Sequence, residues 1–154
     1  MPTFDFHITI HRTAEEVFAL LADLEGYGRW LPRSQTFTGI AGVTPLPVQM
    51  GTTYHDIGPA SRMEGCVTAL VPGERIAFQQ RLLRGPGGPL AGLDILIDYR
   101  LRPVVDGVAV QRSFTLEPHG LLRLLRRPLL RSTRRENVRI LWRLKQHLEV
   151  RRRK

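Results

Sequence analysis

The sequence predicts an α+β protein in which a single sheet folds around a long C-terminal helix. A strand pattern at the N-terminus leads directly into two short amphipathic helices, a strand-rich stretch follows, and helical periodicity runs from Pro128 to about Val150. A sheet folded around a helix encloses a space, and such a space can hold a small molecule. At 154 residues the chain has the size of one domain, predicted to span residues 1–150, with a basic tail at 151–154.

The N-terminal strand and helices are predicted from periodicity and capping. Apolar and polar residues alternate over residues 3–11, which is typical of a strand with one buried face. The segment 13–16 has capping-box spacing, in which a threonine hydroxyl and a later glutamate each satisfy a free backbone N–H group. Apolar residues share one helical face in 14–21, and they recur at helical spacing in 24–31, before Pro32.

Alternating segments separated by turns predict a series of further strands. They cover residues 34–42, 51–57, 61–71, 74–83, 93–101 and 108–116. Pro72-Gly73 and Asp106-Gly107 are turn dipeptides that predict hairpins. The glycine- and proline-rich segment 85–89 is predicted to be either a hairpin connection or a mobile flap.

The final helix has two contrasting faces. On a helical wheel, one face carries Leu130, Asn137, Leu141, Leu144 and Leu148. The opposite side carries an arginine at every fourth residue, with a tryptophan at its edge: Arg131, Arg135, Arg139, Arg143 and Trp142. We therefore expect the leucine face to pack on the sheet and the arginine face to form an outer surface.

Six segments together resemble a known superfamily. They are Ile8-Thr9-Ile10, Thr13-Ala14-Glu15-Glu16-Val17-Phe18, Asp23-Leu24-Glu25-Gly26-Tyr27-Gly28-Arg29-Trp30-Leu31-Pro32, Arg62-Met63-Glu64-Gly65, Val71-Pro72-Gly73-Glu74-Arg75-Ile76-Ala77-Phe78 and the closing helix from Leu141 to Leu148. This pattern is similar to the START-like (Bet v 1-like) helix-grip superfamily, and within it to bacterial polyketide cyclase/dehydrase and lipid-transport-type (SRPBCC) proteins. The resemblance implies the order β-α-α-β6-α, with a curved antiparallel sheet of seven strands around the C-terminal helix and a cavity between them. It also implies binding of lipids, sterols, polyketides or other apolar molecules, with catalysis in some members, but it supplies no catalytic residue.

The first functional hypothesis is a protein that binds or carries a small lipid-like, aromatic or polyketide-like molecule. The residues expected to line its cavity are Trp30, Phe37, Tyr54, Met63, Phe78, Tyr99, Phe114 and Leu141, with Arg112, Arg134 and Asn137 as polar contacts. Arg112 lies in the apolar phase of its strand, where an unpaired charge is costly, so it either anchors a carboxylate or phenolate or lies at a bulge or near the rim. The two polar residues of the final helix either orient a ligand or pair internally, for example with Glu64 or Asp98.

The second hypothesis is a cyclase or dehydratase of the polyketide type, since general acid–base catalysis needs only one or two positioned groups. The groups considered for that role are Tyr54, His55, Glu64, Tyr99 and Arg112. Spacing alone assembles no nucleophile–base pair, so the catalytic residues stay unassigned. Neither a cofactor nor a metal ion is expected, because His7 and His11 share a strand face but lie about 13 Å apart, too far for one metal.

The charge distribution supports a third hypothesis, a peripheral membrane or partner-binding protein. Residues 1–119 contain ten arginines and twelve acidic residues, whereas residues 120–154 contain thirteen basic residues and two acidic ones. Like charges four residues apart on a helix repel, so the arginine stripe favours an anionic lipid surface, nucleic acid phosphates or an acidic protein, unless it is a solvated face in an arginine-rich chain. We favour the anionic membrane surface because Trp142 suits an interface, and we expect no specific nucleic acid partner because no binding module accompanies the charge.

The remaining sequence features bear on where in the cell the protein is located. Cys66 is the only cysteine, which fits a reducing compartment. No apolar run approaches the ~20 residues that cross a bilayer, and the N-terminus lacks the pattern of a secretory signal. These features predict a cytoplasmic protein.

Overall fold

The strands form one antiparallel sheet in the computed structural model, which describes residues 2–34 and 36–151. They are β1 (Thr3–Ile10), β2 (Gly39–Thr44), β3 (Thr53–Ile57), β4 (Arg62–Val71), β5 (Arg75–Arg84), β6 (Ala91–Val104) and β7 (Gly107–Gly120). Their order across the sheet is β1-β7-β6-β5-β4-β3-β2. The first strand therefore pairs with the last, and all the other neighbours are consecutive along the chain.

Two α-helices and three short 3₁₀ helices complete the fold. Helix α1 (Ala14–Ala22) is followed by the 3₁₀ helix Leu24–Arg29, a second 3₁₀ helix (Gly88–Leu90) joins β5 to β6, and a third (Leu121–Leu125) leads into α2 (Arg126–Arg151). None of the described helices is long and apolar enough to cross a membrane. The predicted α+β helix-grip class and the order β-α-α-β6-α are confirmed, with a 3₁₀ helix as the second helix.

Helix α1 begins with the predicted capping box. The Thr13 hydroxyl accepts a hydrogen bond from the backbone N–H of Glu16 at 3.1 Å, and the Glu16 carboxylate accepts one from the backbone N–H of Thr13 at 3.4 Å. These two bonds satisfy N–H groups that a helix start leaves unpaired. The helix then buries Ala14, Val17 and Leu21 against the core.

Strand β2 starts later than the predicted strand 34–42, and a local side chain explains the difference. The Ser34 hydroxyl accepts hydrogen bonds from the backbone N–H groups of Thr36 and Phe37, at 3.2 and 3.1 Å. Such local bonds compete with strand pairing. Strand β2 therefore begins only at Gly39.

The leucine face of α2 and the inward side chains of the sheet form the core. Asn137, Leu141, Leu144 and Leu148 are buried, as the helical wheel predicts, whereas Leu130 on the same predicted face is only partly buried. Alternate residues of β7 from Val108 to Leu116 are buried as well, because successive side chains of a strand point to opposite faces. The division into a domain of residues 1–150 and a basic tail of 151–154 stays a prediction, since 152–154 lie outside the described residues.

Candidate ligand-binding cavity

A cavity of about 320 Å³ lies between the inner face of the sheet, the 3₁₀ helix Leu24–Arg29 and α2. Its wall is largely apolar and includes Met63, Phe78, Ile97 and Phe114. Pockets that bind small molecules typically enclose about 300–1,000 Å³ and are mostly apolar with a few polar groups. The size and lining of this cavity therefore suit one small apolar molecule.

Most of the residues expected to line a cavity do line it. They are Phe37, Tyr54, Met63, Phe78, Tyr99, Arg112, Phe114 and Asn137. Strands β3 to β7 contribute all but the first and the last of these residues, so the inner face of the sheet supplies most of the expected wall. Their contact with a ligand stays a prediction.

Two expected lining residues are buried in the core behind the wall instead. Trp30 packs against Tyr27, with ring centroids 5.1 Å apart, and Tyr27 is the one of the two that faces the cavity. Leu141 is 4% exposed and lies one helical turn beyond Asn137, where α2 packs directly on the core. Periodicity identifies both as inward-facing, but it does not separate a cavity wall from solid core.

The expected inward position of Arg134 is wrong, because this residue is exposed on the outer side of α2. Arg134 lies about 60° around the helix from Asn137, at the edge of the buried stripe. From that edge the guanidinium reaches solvent, whereas an inward position would remove a charge from water. The suggested pairing of the helix with Glu64 or Asp98 is also wrong, since both carboxylates bind arginines of β5.

Arg112 lies on the cavity wall with a defined set of partners. Its Nε–H donates to Asn137 Oδ1 at 2.5 Å, and a terminal N–H donates to the hydroxyl oxygen of Tyr99. The Asn137 amide nitrogen donates to the backbone oxygen of Thr133 at 2.8 Å, which directs the amide oxygen toward Arg112. Arg112 is 4% exposed and in regular register with both neighbouring strands, so the bulge and rim positions considered for it are wrong.

The partners of Arg112 are neutral. No carboxylate among the residues 2–34 and 36–151 forms an ion pair with it. The guanidinium carbon lies 4.9 Å from the centre of the Tyr99 ring, and the ring face offers only partial compensation for the charge. Because the Tyr99 oxygen accepts from Arg112, the Tyr99 hydroxyl proton can be donated into the cavity. This part of the wall therefore offers hydrogen-bond donors and a positive charge.

A second polar cluster on the wall consists of Tyr54, Asp56 and Gln80. The Gln80 amide nitrogen donates to the Tyr54 hydroxyl at 2.8 Å and to Asp56 Oδ2 at 3.3 Å. Burial raises the pKa of Asp56 to about 6, and the negative charge of Glu136 acts in the same direction, whereas the hydrogen bond from Gln80 and the positive charge of Arg112 lower it. Burial also raises the pKa of Tyr54, so the phenol stays protonated at neutral pH. Asp56 is thus a cavity carboxyl that can gain or lose a proton near neutrality.

A glycine in β4 lets this second cluster form. Tyr54, Gly65 and Gln80 lie side by side on β3, β4 and β5. A Cβ atom on Gly65 would lie 2.2 Å from Tyr54 Cζ, so the tyrosine ring covers the glycine backbone. The missing side chain allows the Tyr54 hydroxyl to reach across β4 to Gln80.

Asp56 and Gln80 are absent from the predicted lining, although strand alternation contains a signal for both. Asp56 is two residues from Tyr54, and Gln80 is two residues from Phe78. Residues two apart on a strand share a face, so each polar residue lies beside a predicted lining residue. The signal is weak because polar side chains on an otherwise apolar face are uncommon.

Two of the residues considered for acid–base work lie outside the cavity. The His55 Nδ1 atom lies 2.8 Å from the guanidinium of Arg62, and Glu64 pairs with Arg81 at 3.0 Å. Both contacts are on the outer face of the sheet, because His55 and Glu64 alternate with inward residues of β3 and β4. The other three candidates for that role line the cavity.

The arginine face of α2 is an outer surface, as the sequence predicts. A shallow groove there brings together Arg131, Arg135, Arg139, Trp142 and Arg143 with Arg134, Val138 and Gln146. Arg139 pairs with Glu136 at 2.7 Å and donates to the backbone oxygen of Pro32, so part of its charge is already used. The remaining arginines of the groove are exposed.

In the described part of the chain, three side chains of metal-ligating types lie close together. Oxygen or nitrogen atoms of Asp94, Glu117 and His119 lie within 4.8 Å of one another. Asp94 and Glu117 are cross-strand neighbours, and His119 Nε2 lies 2.7 Å from Asp94 Oδ2. This direct contact satisfies two of the three groups without an ion, and none of the three lines the cavity.

A sequence profile of the family described as polyketide cyclase/dehydrase and lipid transport matches residues 1–149. The chain therefore belongs to this family, and the predicted START-like, SRPBCC membership is confirmed. No curated protein sequence matches the chain.

Solved structures with little sequence identity share the fold. Protein MLL2253 from Mesorhizobium loti aligns with a TM-score of 0.74 and 15% identity over 96% of this chain and 97% of that one. Ara h 8.0201 aligns with a TM-score of 0.70 and 11% identity over 97% and 98% of the two chains. DynU16, from the dynemicin biosynthetic locus, aligns with a TM-score of 0.66 and 14% identity over 96% of this chain and 47% of its own.

Proposed function

We propose that the protein binds or carries a small apolar molecule with one anionic group, held with that group at Arg112. The observation that carries this proposal is the buried guanidinium, which faces the cavity with neutral partners only. A ligand carboxylate or phenolate supplies the missing counter-charge through charge-assisted hydrogen bonds. The apolar wall then holds the rest of the molecule away from water.

The second polar cluster narrows the class of ligand. The Asp56 carboxyl and the Gln80 amide lie on the same cavity wall, and Asp56 forms no ion pair with Arg112 among the described residues. They suit a hydroxyl or carbonyl group on the ligand. Lipid-like, aromatic and polyketide-like acids that carry such a second oxygen combine both features, and the family description is consistent with them.

The anion proposal is tested with two probes of equal size, 2-naphthoate and 2-naphthamide, in competition with a fluorescent naphthalene sulfonate. We expect the wild-type protein to prefer the carboxylate by about 10- to 100-fold, since a buried charge-assisted hydrogen bond is worth about 1.5–3 kcal/mol. The variant Arg112→Met should lose the preference and keep a comparable affinity for the amide. Arg102→Met, at an exposed arginine of β6, is the matched control and should behave as wild type.

Two results contradict the anion proposal: equal affinity of the wild type for both probes, and an unchanged preference in Arg112→Met.

Native mass spectrometry of protein purified from its own host identifies the ligand class directly. We expect an apolar acid to be retained by the wild type and lost from Arg112→Met.

A second candidate function, a cyclase or dehydratase reaction, is supported by the convergence of Asp56, Tyr99 and Arg112 on one cavity. In this reaction Asp56 removes a proton from a carbon next to a ketone. The resulting enolate carbon forms a bond with a second carbonyl carbon of the same substrate, and the new alkoxide takes the proton back. Arg112 and Tyr99 donate hydrogen bonds to the oxygen that becomes negative. Loss of water then gives the unsaturated ring.

The catalytic candidate is tested with 2,6-heptanedione, whose intramolecular condensation gives an ultraviolet-absorbing cyclohexenone. Asp56→Asn should lower the rate about 100-fold, because removal of a general base typically costs 10²–10⁴. Asp98→Asn, at a carboxylate of the outer face, should leave the rate unchanged. A wild-type rate equal to that of buffer would remove the support for catalysis on simple diketones.

A third candidate function is binding to an anionic membrane surface through the arginine groove of α2. We propose it for a protein located in the cytoplasm. The groove combines exposed arginines with Trp142, which is 53% exposed. Basic and aromatic side chains together suit the lipid headgroup region. Arg135→Glu with Arg143→Glu should therefore reduce flotation with vesicles that contain phosphatidylglycerol, and unchanged flotation would count against this surface.

A further inference from the structure

Four exposed leucines project from one end of the sheet, and we call them the leucine ridge. They are Leu90, Leu121, Leu124 and Leu125, with exposed fractions of 69, 41, 82 and 51%. Leu90 precedes β6 and Leu121 follows β7, at the point where Ala91 pairs with Gly120. The other two belong to the same 3₁₀ helix as Leu121, so the four exposed residues lie on two neighbouring segments at this end of the sheet.

The leucine ridge lies on the outer side of a segment that closes the cavity. Leu122, in the same 3₁₀ helix, is 6% exposed and lines the cavity. Pro86 in the β5–β6 connection and Leu129 in the first turn of α2 line it as well. Cavity wall and exposed leucines are thus opposite sides of the same short segment.

The segments that carry the leucine ridge are rich in arginine, and the nearest acidic residues, Asp94 and Glu117, lie on the adjoining strands beside His119. Between Glu117 and Glu136 there are six arginines and no acidic residue: Arg123, Arg126, Arg127, Arg131, Arg134 and Arg135. The connection from 82 to 93 contains Arg84 and no acidic residue. All of these arginines are exposed.

We propose that the leucine ridge inserts into an anionic lipid surface, which places the closing segment of the cavity at the membrane. Exposed apolar side chains within a basic surround match the acyl boundary and the anionic headgroups of a bilayer. A second copy of the chain fits less well, because a symmetric contact through this patch brings the arginines of both copies together. Nucleic acid offers no partner for four leucines.

The insertion is tested by flotation with phosphatidylcholine vesicles containing about 30% phosphatidylglycerol, and with vesicles of phosphatidylcholine alone. Leu124→Ser with Leu125→Ser should weaken binding to the anionic vesicles about tenfold or more, because two apolar side chains are lost from the interface. The matched control is Met50→Ser with Val105→Ser, at residues 64 and 89% exposed elsewhere on the molecule. The control should bind within about twofold of wild type, and phosphatidylcholine alone should bind the wild type weakly.

A spectroscopic readout locates the inserted residues. In a Trp142→Phe background, Leu124→Trp should shift its emission to the blue when anionic vesicles are added, and brominated lipids should quench it. Val105→Trp in the same background should do neither, because Val105 lies at the opposite end of β7 from the leucine ridge. Equal shifts at both positions would overturn the proposal.

The proposed ligand binding in the cavity explains why docking of the leucine ridge at a membrane would be useful. Ligand binding and membrane docking can nevertheless fail separately. The leucine variant should keep its affinity for 2-naphthoate, since neither residue lines the cavity. Arg112→Met should lose its preference for 2-naphthoate over 2-naphthamide and still float with vesicles. Two results with the variants overturn the proposal: full vesicle binding by the leucine variant, and loss of vesicle binding only in Arg135→Glu with Arg143→Glu. It is also overturned if the wild type does not bind anionic vesicles but forms a dimer or binds an acidic protein through these leucines.

Discussion

At the scale of single residues, Arg112 and Asp56 are two side chains of opposite sign on the cavity wall, which Glu136 also lines. Arg112 is held by the neutral groups of Asn137 and Tyr99, whereas Asp56 is held by the amide of Gln80. Each charge is removed from bulk water without a partner of opposite sign in direct contact, and such burial costs free energy. Asp56 can relieve this cost by taking up a proton near pH 6.

The raised pKa of Asp56 predicts how the free energy of unfolding depends on pH. The pKa of Asp56 is about 6 in the folded protein and 3.8 without the fold, so the folded state binds the proton more tightly. The contribution of Asp56 to the free energy of unfolding therefore falls by about 2–3 kcal/mol as the pH rises from about 4 to about 7. Asp56→Asn keeps the acceptor for Gln80 and lacks the titration. Urea unfolding should show the variant gaining stability over wild type across this range, and a flat difference would contradict the burial of Asp56.

At the scale of elements, neighbouring strands shape the cavity wall through the size of their facing residues. The ring of Tyr54 on β3 lies over Gly65 on β4, and its hydroxyl meets Gln80 on β5. The ring also contacts Phe78 edge-on, with centroids 5.9 Å apart. Contacts on both sides leave the ring little room to move.

Gly65→Ala should therefore displace the Tyr54 ring. The added methyl group would lie 2.2 Å from Tyr54 Cζ, and overpacking of this kind typically costs about 1–3 kcal/mol. The loss should appear in urea unfolding together with altered naphthoate binding. Gly39→Ala, in strand β2, is the matched control because a Cβ there meets nothing within 4 Å, and it should change neither quantity. Equal effects of the two variants would contradict the close contact at Gly65.

At the scale of the whole molecule, α2 packs on the inner face of the sheet and completes the hydrophobic core. Leu144 has no exposed surface and Val138 on the same helix is 54% exposed. Leu144→Ala should lower the free energy of unfolding by about 2–5 kcal/mol, and Val138→Ala by less than about 0.5 kcal/mol. If residues 1–150 form one domain, circular dichroism and, in a Trp142→Phe background, the fluorescence of buried Trp30 should report the same single transition in both variants. Separate transitions would contradict a single cooperative unit.

Much of the fold is predictable from the sequence because local patterns carry it. The alternation in β7, the Thr13 capping box and the leucine face of α2 each follow from the spacing of a few residues. Strand alternation also locates Arg112 on the inner face, because it requires only the residues of one strand. The late start of β2 is an exception, since a single Ser34 hydroxyl outweighs the strand pattern there.

The sequence by itself determined the fold class and the inward faces of β7 and α2, because these depend on periods along one element, and six local segments carried the resemblance to the family. The tertiary structure decided which inward side chains meet a cavity and which meet solid core, so Tyr54 lines the space while Trp30 and Leu141 do not. It also decided the partners of Arg112, the place of Asp56 and the neighbours of the exposed leucines. These facts depend on distances between strands and helices far apart in the chain, and no local period encodes such distances.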